Sequence, residues 1–185
     1  GRKSLALLSA ARFGYPATGM ITIGVTGTKG KTTTTHMIKA ILEAAGKKVG
    51  MIGTTGTVIN GQVTPTMNTT PESYELHQSF AKMAEAGCQY MIMEVSSQGI
   101  KMHRVDGISF DYGIFTNISP DHIGPDEHAD FAEYLYCKSR LLNMCRIGLV
   151  NLNDGHFKEI VKDASCRLYT YRVKEDRETK ADFEA

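Results

Sequence analysis

The sequence contains no tryptophan, only four cysteines and no excess of charge of either sign. Its 21 Lys and Arg residues against 20 Asp and Glu residues give a formal net charge of +1 over 185 residues. A protein that coats nucleic acid, or that binds a membrane through a polybasic face, needs a sustained excess of Lys and Arg. We therefore expect neither a nucleic-acid partner nor a membrane-binding surface.

The cysteines form no C-x-x-C pair and no Cys/His spacing suited to zinc; they are Cys88, Cys137, Cys145 and Cys166. We interpret them as reduced thiols in a cytoplasmic protein. The sequence also lacks an apolar run near the roughly 18 residues that a membrane span requires. The apolar stretch 5–11 ends at Arg12, which favours a helix over a signal peptide.

Short apolar, β-rich runs alternate with helical patterns along most of the chain. Strands are predicted at 21–26, 49–54, 90–95, 112–118, 147–152 and 167–171, and helices at 31–45, 72–86, 127–145 and 156–162. This alternation is typical of right-handed βαβ units. It predicts a three-layer α/β fold like that of P-loop NTPases, with a mostly parallel sheet and helices on both faces.

A glycine loop that ends in G-K-T lies between the first predicted strand and the first predicted helix. Its backbone N–H groups and the helix N-terminus suit phosphate oxygens. Lys31 would reach the β- and γ-phosphates, and the Thr32 hydroxyl would bind Mg²⁺. The predicted nucleotide-binding residues are Gly27, Thr28, Lys29, Gly30, Lys31, Thr32 and Thr33.

The loop departs from the pattern G-x-x-x-x-G-K-[ST], because Val25 stands where that pattern has glycine. One alternative is a turn that only caps a threonine-rich helix. A second alternative, a dinucleotide-binding site, is less well supported. Such a site requires an acidic residue after the second strand, and that strand ends in Gly53-Thr54-Thr55.

Four ordered motifs surround this pattern: G-T-K-G-K-T-T-T-T (27–35), N-T-T-P-E (68–72), E-V-S-S-Q-G (94–99) with H-R-V (103–105), and T-N-I-S-P-D-H (116–122). Over about 21–171 they resemble the central domain of the Mur ligases, most closely of those that add the third residue to the UDP-N-acetylmuramoyl dipeptide of peptidoglycan. The resemblance implies a cytoplasmic, monomeric ATP-dependent carboxylate–amine ligase that forms an acyl phosphate. Its cofactors would be ATP and Mg²⁺, and its partners the UDP-N-acetylmuramoyl dipeptide and an amino acid.

The resemblance also implies the roles of individual residues. Catalysis would involve Lys31, Glu94, His122 and Lys138; metal binding would involve Thr32, Glu94, His122 and Lys138; and the muramoyl peptide would contact Thr69, Thr70, Ser96 and Arg104. Phosphoryl transfer to a carboxylate brings two anions together, so cationic and metal-binding groups are expected where charge collects.

Lys138 is a charged residue on a predicted helix face that is otherwise apolar. The other residues of that face are Phe131, Tyr134, Leu135, Leu141, Leu142 and Cys145. A snorkelling stem with its ammonium at the rim is one interpretation. The resemblance gives another, a carbamylated lysine that faces the metal site, within a metal ion's reach of Glu94 and His122.

The chain departs from the family at Lys29, where asparagine is usual, and at Met102, where a polar residue is common. It also lacks the usual D-x-H spacing after His122. We expect His128 to be an exposed residue at the start of the next helix.

We divide the chain into the end of a preceding segment or linker (1–19), a partial Mur ligase central ATPase domain (20–172) and a truncated charged connection (173–185). Complete Mur ligases carry two further domains, one of which binds the incoming amino acid, so we expect this chain to be inactive alone. Two alternatives are a ligase similar to folylpolyglutamate synthase and a non-catalytic P-loop module. In such a module Glu94, His122 and Lys138 would have no reason to converge.

Overall fold

The computed structural model describes residues 1–125, 127–173 and 181–184. In chain order its elements are α1 (Arg2–Arg12), β1 (Ile21–Thr26), α2 (Lys31–Ala44), β2 (Val49–Gly53), β3 (Gly56–Ile59), β4 (Gln62–Thr64), α3 (Ser73–Glu85), β5 (Tyr90–Glu94), α4 (Ser97–Lys101), β6 (Phe110–Phe115), α5 (Phe131–Ser139), β7 (Cys145–Asn151), α6 (Phe157–Val161), β8 (Arg167–Arg172) and β9 (Phe183–Glu184). Short 3₁₀ turns occupy Pro16–Gly19 and Arg140–Asn143. Within the described ranges, no helix combines the length and the apolar character that crossing a bilayer would require.

The strands form one sheet in the order β4-β3-β2-β5-β1-β6-β7-β8-β9. Among the strands of the described residues, only β3 runs against its neighbours, β2 and β4; the remaining pairs are parallel. The predicted, mostly parallel α/β sheet is confirmed. Because β2, β5, β1 and β6 are parallel neighbours, the segments that follow them meet at one edge of the sheet. We call this the carboxyl edge.

The side chains of β5 show how the sheet is covered on both faces. Met91 and Met93 pack in a core cluster with Leu76 and Phe80 of α3. Ile92 points the other way and joins a second cluster, against which side chains of α2 pack. A third cluster, around Phe115, Tyr134 and Val150, lies against α5 and α6. The strands are apolar because helices bury both of their faces.

Three of the described strands, β3, β4 and β9, were absent from the sequence-based prediction. β3 and β4 form an antiparallel hairpin in which Ile59 pairs with Gln62. Its turn residues Asn60 and Gly61 have φ values of 50° and 77°, the left-handed conformation that two-residue hairpin turns require. The Asn-Gly pair was therefore an available signal for this hairpin.

The predicted helix 127–145 is shorter than expected. It begins at Phe131, because the Asp130 carboxylate caps it by accepting a hydrogen bond from the Glu133 N–H at 2.8 Å. It ends at Ser139, and Cys145 begins β7 instead.

In the predicted charged connection, β9 pairs with β8, while 174–180 and 185 lie outside the described residues.

Phe80→Ala is expected to destabilise the fold by about 3–5 kcal/mol, because the ring is fully buried and its removal leaves a cavity beneath α3. Met37→Ala is the control, since that side chain on α2 is 60% exposed and its loss should change stability by less than about 0.5 kcal/mol. Urea unfolding followed by circular dichroism measures both variants. Equal destabilisation of the two would contradict this packing.

Candidate active site

The glycine loop after β1 is braced against the segment that follows β6. Gly27 has a φ of +143°, and a Cβ there would lie 2.0 Å from Thr116 Oγ1, so only glycine fits. The backbone N–H groups of Thr28 and Lys29 donate to the carbonyl and the side-chain oxygen of Asn117, at 2.9 and 3.0 Å. Gly30, with a φ of +85°, precedes the first residue of α2. The predicted phosphate loop therefore lies at the carboxyl edge.

Two lysine ammonium groups converge on one carbonyl of this loop. Lys31 Nζ donates to Gly27 O at 2.8 Å and to Thr28 O at 3.1 Å, and Lys138 Nζ donates to Gly27 O at 2.9 Å. Lys138 is 2% exposed, so it does not snorkel to solvent. Burial lowers the pKa of Lys31, with Glu94 and Asp121 opposing that effect.

The environment of Lys138 changes its protonation more strongly. Burial, followed by the charge of Lys31, lowers the pKa of Lys138 to about 7, while Asp121 opposes the shift. Near neutral pH a substantial fraction of this side chain is therefore the uncharged amine. The negative charge of Asp121 opposes the lowering of the pKa of both lysines.

Glu94 ends β5 as a buried carboxylate that is 1% exposed. The Thr32 hydroxyl lies 3.0 and 3.1 Å from its two oxygens. The Thr54 N–H donates to Oε1 at 3.0 Å, and the Thr54 hydroxyl donates to Oε2 at 3.2 Å. All these donors are uncharged. A buried anion beside a hydroxyl is an oxygen donor set that fits Mg²⁺, so the residues present match the implied cofactor.

The threonines assigned to the substrate lie beside Glu94. Thr70 is fully buried; its hydroxyl donates to Glu94 O at 2.9 Å and accepts from the Ser96 N–H at 2.9 Å. The Thr69 hydroxyl lies 3.1 Å from that of Thr54. Thr70 therefore holds the end of β5 in place, and Thr69 contacts the residue that holds the Glu94 carboxylate.

The other two substrate-assigned residues also make internal bonds. The Ser96 hydroxyl caps α4 by accepting from the Gly99 N–H at 3.0 Å. Arg104 donates from Nε to Glu72 at 2.8 Å and from a terminal nitrogen to Thr70 O at 3.1 Å. The contacts of Thr69, Thr70, Ser96 and Arg104 with a substrate stay a prediction.

The segment after β6 carries His122 and folds back on itself. The His128 N–H donates to His122 O at 3.1 Å, and the Gly124 N–H donates to His128 O at 3.1 Å. His122 Nδ1 lies 2.7 Å from Glu127 Oε1, and its side chain is 47% exposed. The expectation for His128 was wrong: it is fully buried and packs edge-on against Tyr134, with ring centroids 5.3 Å apart. The turn carries His128 inward, which its sequence position before the helix did not reveal.

Tyr134 and Thr54 are candidate site residues that the sequence analysis missed. The Tyr134 hydroxyl lies 3.1 Å from Thr28 Oγ1, and Lys138 Nζ lies 4.7 Å from the centre of the Tyr134 ring. The signal for Tyr134 was its place four residues before Lys138 on the same helix face. The signal for Thr54 was its position directly after β2.

The predicted metal set is only partly brought together. Thr32 contacts Glu94, and Lys138 contacts the glycine loop, while the ring of His122 lies 5.9 Å from that of Tyr134. Across the part of the chain that the structure describes, no three His, Cys, Asp or Glu side chains form a group able to hold a metal. The metal roles of His122 and Lys138 stay predictions.

Sequence comparison identifies a matching family model and similar proteins. Residues 25–185 match the family model of the Mur ligase middle domain. The chain is 41% identical over 185 residues to the UDP-N-acetylmuramoyl-L-alanyl-D-glutamate--2,6-diaminopimelate ligase of Clostridium perfringens, covering 97% of this chain and 38% of that protein. It is 42% identical over 168 residues to the UDP-N-acetylmuramyl-tripeptide synthetase of Lactococcus lactis subsp. cremoris, covering 90% and 35%. The chain thus spans little more than a third of these relatives.

Solved structures share the fold. A UDP-N-acetylmuramoyl-L-alanyl-D-glutamate--2,6-diaminopimelate ligase aligns with a TM-score of 0.82 and 26% identity, over 95% of this chain and 37% of that one. The folylpolyglutamate synthase of Mycobacterium tuberculosis, complexed with ADP and AMPPCP, aligns with a TM-score of 0.73 and 15% identity, over 94% and 48%. At that identity the likeness concerns the fold alone. The family model covers most of the residues that build the carboxyl edge, and the chain belongs to the Mur ligase family.

Proposed function

We propose that this chain is the nucleotide-binding part of an ATP-dependent ligase of peptidoglycan-precursor synthesis. The ligase would add the third amino acid to UDP-N-acetylmuramoyl-L-Ala-D-Glu. The relatives with 41% and 42% identity are named for ligation at this step. The observation that carries the proposal is the contact between the Thr32 hydroxyl and the buried Glu94 carboxylate at the end of the phosphate loop. The free thiols fit a reducing cytoplasmic compartment.

The residues of the loop would bind and orient the triphosphate. Backbone N–H groups at 30–33 would donate to phosphate oxygens, as loops of this kind do before a helix N-terminus, because those of Thr28 and Lys29 already donate to Asn117. Lys31 would exchange the carbonyls of Gly27 and Thr28 for the β- and γ-phosphate oxygens. Thr32 and Glu94 would hold Mg²⁺, which supplies positive charge against the phosphates. The γ-phosphate would then lie at the carboxyl edge.

The proposed reaction has two steps. A carboxylate oxygen of the dipeptide attacks the γ-phosphorus, and the bond to the β-phosphate oxygen breaks to release ADP. The amino group of the incoming amino acid then attacks the acyl carbon, phosphate leaves, and the amine proton is released. The first step brings two anions together and the second expels a phosphate anion, so the contribution of this chain is positioning and positive charge.

Lys138 would enter this site as a carbamate. Its uncharged amine is the form that attacks CO₂, which makes an N–C bond and releases a proton. The carbamate nitrogen keeps one N–H, which can still donate to Gly27 O in place of the ammonium. The new anion would face Lys31, whose charge now disfavours protonated Lys138. The burial of the Lys138 side chain and its lowered pKa support this proposal.

Lys31→Ala is expected to reduce ATP binding below detection and to leave the fold intact, because the ammonium serves the ligand and contacts only loop carbonyls. Lys39→Ala is the matched control on the same helix; that lysine pairs with Glu43 at 2.7 Å, and ATP affinity should not change. Isothermal titration calorimetry measures both. Wild-type affinity in the Lys31 variant would refute the phosphate-loop assignment.

Stability should rise with pH because of Lys138. Its pKa of about 7 in the folded chain lies below the ordinary value of 10.5, so between these pH values the unfolded chain binds the proton that the folded chain lacks. From pH 6 to pH 9 this adds roughly 2–3 kcal/mol to the free energy of unfolding. The variant Lys138→Met should lack that increment.

Urea unfolding at the two pH values, in CO₂-free buffer, compares wild type with the Lys138 variant. Tyr136→Phe, at a side chain 60% exposed on the same helix, is the control and should keep the wild-type pH dependence. Identical pH dependence of the wild type and Lys138→Met would contradict the buried, uncharged amine.

A further inference from the structure

We propose that Thr54 is a positioning residue that fixes the orientation of the Glu94 carboxylate toward the metal ion of a bound nucleotide and links it to Thr69. The inference rests on the proposed function, because it concerns the metal that accompanies the nucleotide. Thr54 is not among the residues that the motifs singled out. It acts through Glu94 and Thr69 and is not itself assigned a contact with substrate.

Thr54 donates one hydrogen bond to each oxygen of the Glu94 carboxylate. Its backbone N–H donates to Glu94 Oε1 at 3.0 Å, and its hydroxyl donates to Oε2 at 3.2 Å. Two donors on two oxygens define the plane of the carboxylate, so rotation about its last C–C bond would break at least one of them.

Thr32 cannot fix that plane by itself. Its hydroxyl lies 3.0 and 3.1 Å from the two oxygens but has a single proton to donate. It is also the side chain whose oxygen lone pair would face the metal. Thr54 keeps two separate donors on the carboxylate, whichever oxygen Thr32 engages.

The preceding glycine makes this close approach possible. A Cβ at Gly53 would lie 2.2 Å from Glu94 Oε1. A side chain there would displace the carboxylate and separate it from the Thr54 N–H. The Gly53-Thr54 pair therefore forms a seat for the Glu94 side chain at the end of β2.

Thr54 also connects this seat to the segment 68–72. Its hydroxyl lies 3.1 Å from the Thr69 hydroxyl. When Thr54 donates to Glu94, its oxygen is free to accept from Thr69, so hydrogen bonds run from Thr69 through Thr54 to Glu94. A substrate that engages Thr69 would thereby influence the carboxylate without touching it.

The test measures metal affinity directly. Mn²⁺ is the probe, and electron paramagnetic resonance follows its binding to the chain saturated with ADP. Thr54→Val and Thr54→Ala, which differ in volume and both lack the hydroxyl, should bind Mn²⁺ about 10-fold more weakly than wild type. Thr54→Ser keeps the hydroxyl and should remain within about twofold of wild type, as expected where the hydroxyl bond and not the methyl group matters.

Two controls separate positioning from a general structural effect. ADP affinity in EDTA should be the same in all variants, because Thr54 contacts Glu94 and not the phosphate loop. Thr55→Val should leave Mn²⁺ affinity unchanged, since the Thr55 hydroxyl is exposed and its bond, at 3.3 Å, is to His36. Wild-type Mn²⁺ affinity in both the valine and alanine variants would overturn the inference, and so would an equal loss of ADP affinity in EDTA. Failure of the wild-type chain to bind ADP would instead refute the proposed function on which the inference rests.

Discussion

The buried carboxylate of Glu94 is the constraint on which the carboxyl edge depends. Removing a charge from water is unfavourable by several kcal/mol unless polar partners replace the solvent. The partners here are the hydroxyl of Thr32 and the N–H and hydroxyl of Thr54. Thr32 lies at the start of α2 and Thr54 follows β2. Burial of the Glu94 anion therefore requires that the ends of β5 and β2 and the phosphate loop lie close together. Gly53 follows from the same constraint, since a Cβ would occupy the space of the carboxylate.

Two lysine side chains meet at the Gly27 carbonyl of the glycine loop. Lys31 and Lys138 share that oxygen, and their proximity, together with burial, makes the second ammonium unfavourable. A neutral or anionic form of Lys138 relieves this conflict, and so does a polyphosphate on the loop. A metal ion would neutralise the Glu94 carboxylate, and the phosphates of a nucleotide would neutralise the lysines. This pairing of charges is the physical reason to expect a metal–nucleotide complex at the carboxyl edge.

Local patterns allowed the sequence to predict much of this fold, and long-range contacts limited the rest. The strand 21–26 and the loop that follows it are as predicted, because apolar β-branched residues and glycines act within a few positions. The burial of His128 and the contact of Thr54 with Glu94 were outside the reach of such reasoning, although the position of Thr54 after a predicted strand was readable. Burial of His128 depends on a turn that closes against Tyr134, and the role of Thr54 depends on Glu94, 40 residues away in the chain. The β3–β4 hairpin differs, since Asn60-Gly61 was a readable signal.

A crystal structure of this chain grown with ADP and Mn²⁺ tests the central claim most directly, because Mn²⁺ is located by its anomalous scattering. We expect the β-phosphate on the backbone N–H groups of 30–33, and a Mn²⁺ peak bonded to Thr32 Oγ1 and within about 4 Å of a Glu94 carboxylate oxygen, directly or through one water. Glu94 would keep its hydrogen bonds to Thr54. An ordered nucleotide bound away from the glycine loop, or a Mn²⁺ ion that contacts neither Thr32 nor Glu94, would contradict the account.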